Sequence, residues 1–195
     1  MKNEKDLEYK KYRWFFTKSD KLVYGGKSAE QNEEVVRNLI KGKENYIMMH
    51  TRIPGSPFSV IMASPEKVSE SDLNEVATWT ACFSRAWRQG LKKTPVDVFL
   101  TEQLIKKGSM KAGTFGVLGK IDRINVELKL ALTLQKGVLR AVPLDSVKEK
   151  KHKVIIPGKR SKEEFANILS EELKKGKDEV LNALPTGGFS EIKGK

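Results

Sequence analysis

The stretch LVYGGKSAEQNEE, Leu22–Glu34, decides how the first half of the chain folds. It runs from a short apolar segment through a glycine pair into Lys-Ser and a helix-forming run. That is how the last part of a phosphate-binding P-loop looks. A P-loop needs G-x-x-x-x-G-K-[ST], because its loop must turn successive backbone N–H groups onto the phosphates. Counting back from Gly26, the first glycine of that pattern is replaced by Lys21, at a turn position where a Cβ is badly tolerated. The apolar segment also reaches Tyr24, so only two glycines separate strand from helix. The stretch is a strand-to-helix corner, and an NTPase is not expected.

Outward from this corner, YRWFFT (Tyr12 to Thr17) and LVY flank the polar KSDK, which predicts a β-hairpin. Ser28 with Gln31 matches a capping box, and Val35, Val36, Leu39 and Ile40 give the helix one apolar face, ending near Lys41-Gly42. NYIMMHT and FSVIMAS read as strands separated by RIPGSP, whose prolines and glycine force a bend. SESDLNEVATWTACFSRAWRQG reads as one amphipathic helix carrying Leu73, Val76, Ala77, Thr80, Ala81, Ser84 and Trp87. A β-rich segment follows through DVFLTE, GTFGVLG, INVELKLAL and VLRAVP, with a hairpin turn at Gln135-Lys136-Gly137. After residue 144 comes HKVIIPG, then a helix opened by Ser161 and Glu164. A tail frayed from about residue 186 closes the chain. The expected class is α+β: a compact, mixed, mainly antiparallel sheet with two main helices and a C-terminal β-strand and helix extension. The expected division is 1–144 for the main domain and 145–195 for the extension, packed on the same domain.

Lys and Arg total 37 against 25 acidic residues in 195, a formal net charge of +12. Such an excess favours polyanionic partners. It is concentrated in three acid-poor segments: Gln103–Arg123, Val147–Lys162, and the group Arg85, Arg88, Lys92 and Lys93. No apolar run is long enough to span a bilayer, and MKNEKDLEYKK has no apolar core of a signal peptide. The lone Cys82 lies in a helical apolar pattern and reads as a small buried residue. A cytoplasmic, membrane-free setting is expected.

Two histidines, His50 and His152, and one cysteine cannot build an ordinary tetrahedral zinc site, so neither metal nor cofactor is expected. No nucleophile-turn motif is present. The carboxylates read as helix-exterior residues beside lysines. In the first strand Trp14 and Phe16 alternate with Arg13 and Phe15. One pair could be exposed to stack a base, or both faces could be covered.

YRWFFT, LVYGGKSAEQNE, HTRIPGSP, CFSRAW and KGSMKAGTFGVLGK, in that order, resemble the NFACT RNA-binding domain (NFACT-R) over residues 12 to 120. The resemblance implies a compact α+β domain that binds RNA. Such domains usually sit within proteins of ribosome-associated quality control that hold tRNA on the large ribosomal subunit. The family's N-terminal glycosylase-like domain, helix-hairpin-helix region and coiled coil are not found here, so a stand-alone module is expected. Its characteristic residues carry over to Trp14, Gly26, Asn32, Glu33, His50, Gly55, Ser56, Ser84, Trp87, Gly113 and Phe115. Asn45 stands where the family usually has an aspartate.

The expected function is therefore a non-catalytic module for tRNA or rRNA. Arg13, Lys27, Arg52, Arg85, Arg88, Lys107, Lys111 and Lys120 would hold phosphates, and His50 with Ser56 would line a polar pocket. Two alternatives stand beside it. One is an RNA-modifying enzyme or an accessory subunit of one, for example in tRNA thiolation, with His50, Ser56 and Glu33 near the reaction. The other is a protein adaptor docking through the helix Ser161 to Lys175.

Overall fold

The computed structural model describes residues 8–149 and 152–192. Lys150 and Lys151 of the basic run, and the last residues of the expected tail, lie outside that range. The hairpin expected first is present: β1 (Arg13–Phe16) and β2 (Leu22–Gly25) pair antiparallel, with Trp14 opposite Tyr24 and Phe15 opposite Val23. β3 (Ile47–Thr51), β4 (Ser59–Ile61), β5 (Lys93–Leu100) and, later in the chain, β8 (Asp122–Glu127) complete a six-stranded sheet. The order is β1-β2-β4-β3-β5-β8, antiparallel at every step.

Period-two alternation gives this sheet two apolar faces, and each takes a helix. On one face Met48, Val60 and Phe99 meet Val35, Val36 and Leu39 of α1 (Ala29–Gly42). On the other, Phe15, Val23, Met49, Ile61 and Val96 meet Val76, Ala77 and Trp79 of α2 (Glu70–Cys82). The single helix expected from 69 to 90 is in fact two. α2 stops at Cys82, and a short α3 (Arg85–Arg88) starts afresh with Ser84 as its cap, accepting from the Ala86 N–H. The break has a tertiary cause: the Arg85 N–H donates to Gly55 O at 3.1 Å instead of continuing the helical ladder.

α2 is also buried around most of its circumference, which corrects the expectation of exterior carboxylates. Asp72 and Glu75 are 1% and 2% exposed. Asp72 accepts from the N–H and hydroxyl of Ser69 and from Ser19, and pairs with Lys21 at 3.0 Å. Burial opposes its charge, but these donors outweigh it and hold the carboxyl well below the usual range. Glu75 accepts from Lys18 N at 2.8 Å and Ser146 Oγ at 2.6 Å, fastening the β1–β2 turn and the 144–146 turn to one helix.

INVELKLAL, read as one segment, is split between two sheets. β8 ends at Glu127; β9 (Leu130–Gln135) and β10 (Val138–Val142) form a hairpin on the Lys136-Gly137 turn, both residues at positive φ. A two-stranded ladder, β6 (Leu104–Ile105) with β7 (Gly116–Val117), lies between β5 and β8 in the chain. β11 (Lys153–Arg160) joins β9, and β12 (Phe189–Ile192) joins β11, giving a second sheet of order β10-β9-β11-β12. The boundary expected near 144 therefore runs through this second sheet. The frayed tail expected from 186 is corrected too: β12 is paired, and Phe189 is fully buried against Phe165.

α4 (Lys162–Leu173) opens with the Ser161–Glu164 capping box. It is followed by α5 (Lys177–Ala183), whose cap is Gly176. Phe165, Ala166 and Leu169 of α4 are fully buried in the same cluster that holds Trp79 and Trp87. The helix weighed as an adaptor thus has its apolar face covered by this chain. Strand β1 offers no exposed aromatic pair either. Trp14 and Phe15 are buried, and Phe16 is overlain by Tyr9 and Lys136.

Candidate nucleic-acid interface

Three corners meet at one end of the six-stranded sheet: the β2–α1 corner, the β3–β4 bend and the junction of α2 with α3. Between them is a cleft of about 650 Å³. At the first corner, a Cβ on Gly26 would lie 2.5 Å from Asn32 N, so only glycine lets the chain turn there. Asn32 then clamps the bend, donating to Ser56 O at 3.2 Å and accepting from Phe58 N at 3.0 Å. Ser56 Oγ accepts from Thr51 N at 2.9 Å. Gly55, at φ +112°, lies under the Arg85 side chain, where a Cβ would come within 2.6 Å. Glu33, one residue beyond the clamp, accepts from the Gly113 N–H and Lys106 Nζ, both at 2.8 Å, and from Arg37 Nε. The Lys106 bond, with the others, holds its carboxyl down at about 2. Asn45, the position that departs from the family pattern, accepts from Thr101 Oγ1 at 3.1 Å. Its carbonyl oxygen serves a structural bond that needs no charge.

The cleft wall carries Arg13, Lys27, Arg52, Arg85 and Arg88, with Asp97 as the acid among its lining residues. That acid is already engaged, accepting from Arg123 Nε at 2.7 Å. Among the described residues, none of the five cations is in an ion pair. Lysines of the acid-poor runs behave differently: Lys148 pairs with Asp20, Lys153 with Glu172 and Glu191, and Lys120 with Asp122 at 3.4 Å. Poverty of acids along the chain did not mean poverty of acids in space.

His50 stacks on Phe58 with ring centroids 4.4 Å apart, and Phe115 meets the same ring edge-on, giving the cleft an aromatic floor. Burial pushes the His50 pKa down, against smaller upward effects of the Thr51 backbone and Asp97, so the ring is neutral at neutral pH. His50, Ser56 and Glu33 do not assemble as a nucleophile with its base. The serine hydroxyl and the glutamate hold backbone N–H groups, and the histidine packs on a ring.

Of the ten candidate RNA contacts, seven line this one cleft: Arg13, Lys27, His50, Arg52, Ser56, Arg85 and Arg88. Lys107 lines a separate groove with Arg37, Ile40 and Met110. Lys111 is exposed on the loop just before the cleft-lining Ala112, and Lys120 stands 89% exposed beside Asp122. Trp87, Ser84, Gly113 and Phe115 serve the frame; Trp87 Nε1 donates to Gly188 O at 3.0 Å. Sequence reasoning missed Thr186, which closes one wall of the cleft, and Phe83, on which Arg13 lies at 4.3 Å. It also missed Arg140 and Lys162 behind Arg13. No local pattern marks them, because tertiary packing brings them there.

The family model of the NFACT protein RNA binding domain matches residues 11–119, which include every residue lining the cleft except Ile121 and Thr186. The chain belongs to that family. This NFACT domain is 28% identical over 207 aligned residues to the archaeal Rqc2 homolog aRqcH of Methanocaldococcus jannaschii, covering 95% of the chain and 29% of that protein. It is likewise 28% identical to the ribosome quality control complex subunit NEMF homolog of Drosophila melanogaster, over 62% of the chain and 12% of the relative. The chain thus spans less than a third of the length of either. A solved C-terminal part of the fibronectin/fibrinogen-binding protein from Streptococcus suis is similar over 60% of this chain and 43% of its own, at 23% identity and a TM-score of 0.49. Among the described residues no helix is long and apolar enough to cross a membrane.

Proposed function

We propose that this NFACT domain is a non-catalytic RNA-binding module, acting in ribosome-associated quality control or in tRNA modification, and that it grips tRNA or rRNA by the cleft. The observation that carries the reading is the set of five cations gathered from four separate segments onto one cleft, each without an acidic partner among the described residues. Unpaired guanidinium groups beside an aromatic floor suit phosphates and unstacked bases. The two curated relatives described above are named for ribosome quality control or as a homolog of Rqc2, which points to the ribosome as the setting in which the RNA is met.

A binding titration against tRNA over a range of salt tests this. Affinity should fall steeply, with a log–log slope of about −0.7 for each single-strand phosphate neutralised or about −0.9 on duplex. The double variant R85E/R88E should lose binding while keeping its melting temperature, since both side chains are exposed. Salt-independent affinity, or full affinity in the folded double variant, would remove the cleft from the reading.

A further inference from the structure

Arg13 differs from the other cleft cations. It is half-buried on the edge strand, its guanidinium lies against the Phe83 ring, and among the described residues it has neither a hydrogen-bond acceptor nor an ion pair. Its neighbours are cations drawn from distant elements. Arg140 comes from β10, Lys162 from the first turn of α4, and Lys27 from the β2–α1 corner. Burial, then Arg140, brings Arg13 to about 10. Burial, then Arg13, brings Lys162 to about 8.

The carboxylates of the surrounding elements do not serve Arg13. Glu163 pairs with Lys177 at 2.9 Å; Glu179 accepts from Leu139 N at 3.1 Å and pairs with Lys175. Two further donors without an acceptor among the described residues, Arg140 Nε and Trp14 Nε1, are sealed outside the lining of the cleft, the guanidinium 4.0 Å from the indole centroid, and take no part in it. Buried donors are ordinarily satisfied, and like charges are ordinarily kept apart. An unpaired guanidinium on the cleft wall, with Lys27 beside it and Arg140 and Lys162 acting on it from behind, implies an anion that completes it.

We propose that the Arg13 end of the cleft is a pocket for a phosphate monoester, the terminal phosphate of an RNA strand. This rests on the RNA-binding reading above. A monoester carries about −1.5 to −2 charges and three acceptor oxygens, whereas an internal diester carries one charge. It therefore answers several cations at once. The C-terminal segment contributes to the wall beyond. Thr186 lines the cleft, Pro185 is buried, and the backbone of Gly187 lies against Arg88. A strand end, which needs room on one side only, fits a site with a wall on the other.

The test compares short single-stranded RNAs of one sequence, carrying a 5′-phosphate, a 3′-phosphate or hydroxyls at both ends, by fluorescence anisotropy on the full chain. One phosphorylated form should bind about tenfold more tightly than the hydroxyl form, the worth of a charge-assisted contact. Inorganic phosphate should erase that difference. In R13M, whose side chain still packs on Phe83, the ratio between phosphorylated and hydroxyl forms should fall to one. Equal affinity for all three RNAs in the unaltered protein overturns the pocket and leaves RNA binding standing. Absence of binding to every RNA overturns both. The comparison of ends needs no variant, so it decides the question even if R13M does not fold.

Discussion

Lys162 shows how much one side chain can report. It sits in the first turn of α4, faces Arg13 across to β1, has Glu163 beside it, and donates to Leu184 O at 3.1 Å. Its folded pKa is lowered to about 8, below the ordinary lysine value. Between the two values the unfolded chain binds more protons than the folded one, so this residue's contribution to stability rises as pH climbs through that window. The charge that serves an anion is lost around the folded value itself, at the lower edge of that window. RNA affinity should therefore weaken as pH rises from about 7 to about 9. In K162M that part of the pH dependence should disappear; a K162M profile identical to that of the unaltered protein would separate Lys162 from the anion. At this scale the sequence was legible where partners are local. The Ser28 and Ser161 caps could be read from spacing alone. Asp72 and Glu75 could not, because Ser19, Lys18 and Ser146 reach them only in the folded chain.

At the scale of elements, the cleft depends on a loop held by a helix. Asn32 satisfies two buried backbone groups of the β3–β4 bend that no other described residue serves through its side chain. Asn32→Ala leaves both unpaired, at about 1–3 kcal/mol for each group. Urea denaturation should show a loss of about 2–4 kcal/mol, accompanied by weaker RNA binding as the bend loosens. An unchanged midpoint would mean that water takes over both groups. Strand and helix types were read correctly through most of the chain because hydrophobic period is a local property. Two junctions were not. Helix 69–90 was read through Ser84, since the bond from Arg85 to Gly55 O leaves no trace in the pattern. INVELKLAL was read across Leu128-Lys129, since a strand that changes sheets keeps its alternation.

For the whole molecule, the two sheets share a continuous cluster with α2, α3, α4 and α5, while α1 packs on the opposite face of the larger sheet, and the C-terminal strand is one of the cluster's fixed parts. Phe189 is fully buried, stacked on Phe165 with centroids 5.0 Å apart and packed near Trp87. Phe189→Ala should cost about 3–5 kcal/mol and lower the melting temperature accordingly, which calorimetry measures. A melting point within error of the unaltered protein would show β12 to be dispensable in solution. The tail looked frayed in the sequence because PTGGF has the composition of a terminus. Gly158 and Gly188 instead bring two backbones close enough for Gly158 N to reach Gly188 O at 3.2 Å, and the strand follows from that approach.

Thr186 therefore has a consequence for timing. A polypeptide emerges from the synthesising machine beginning at its amino end, and Arg13, Lys27 and Arg85 are outside long before the segment that walls them in. Until residues near 186 follow, the half-made domain displays its cations without the surface that gives them a shape to recognise. The cations by themselves attract any polyanion, so what this late segment would add is shape, and with it preference for one ligand over another.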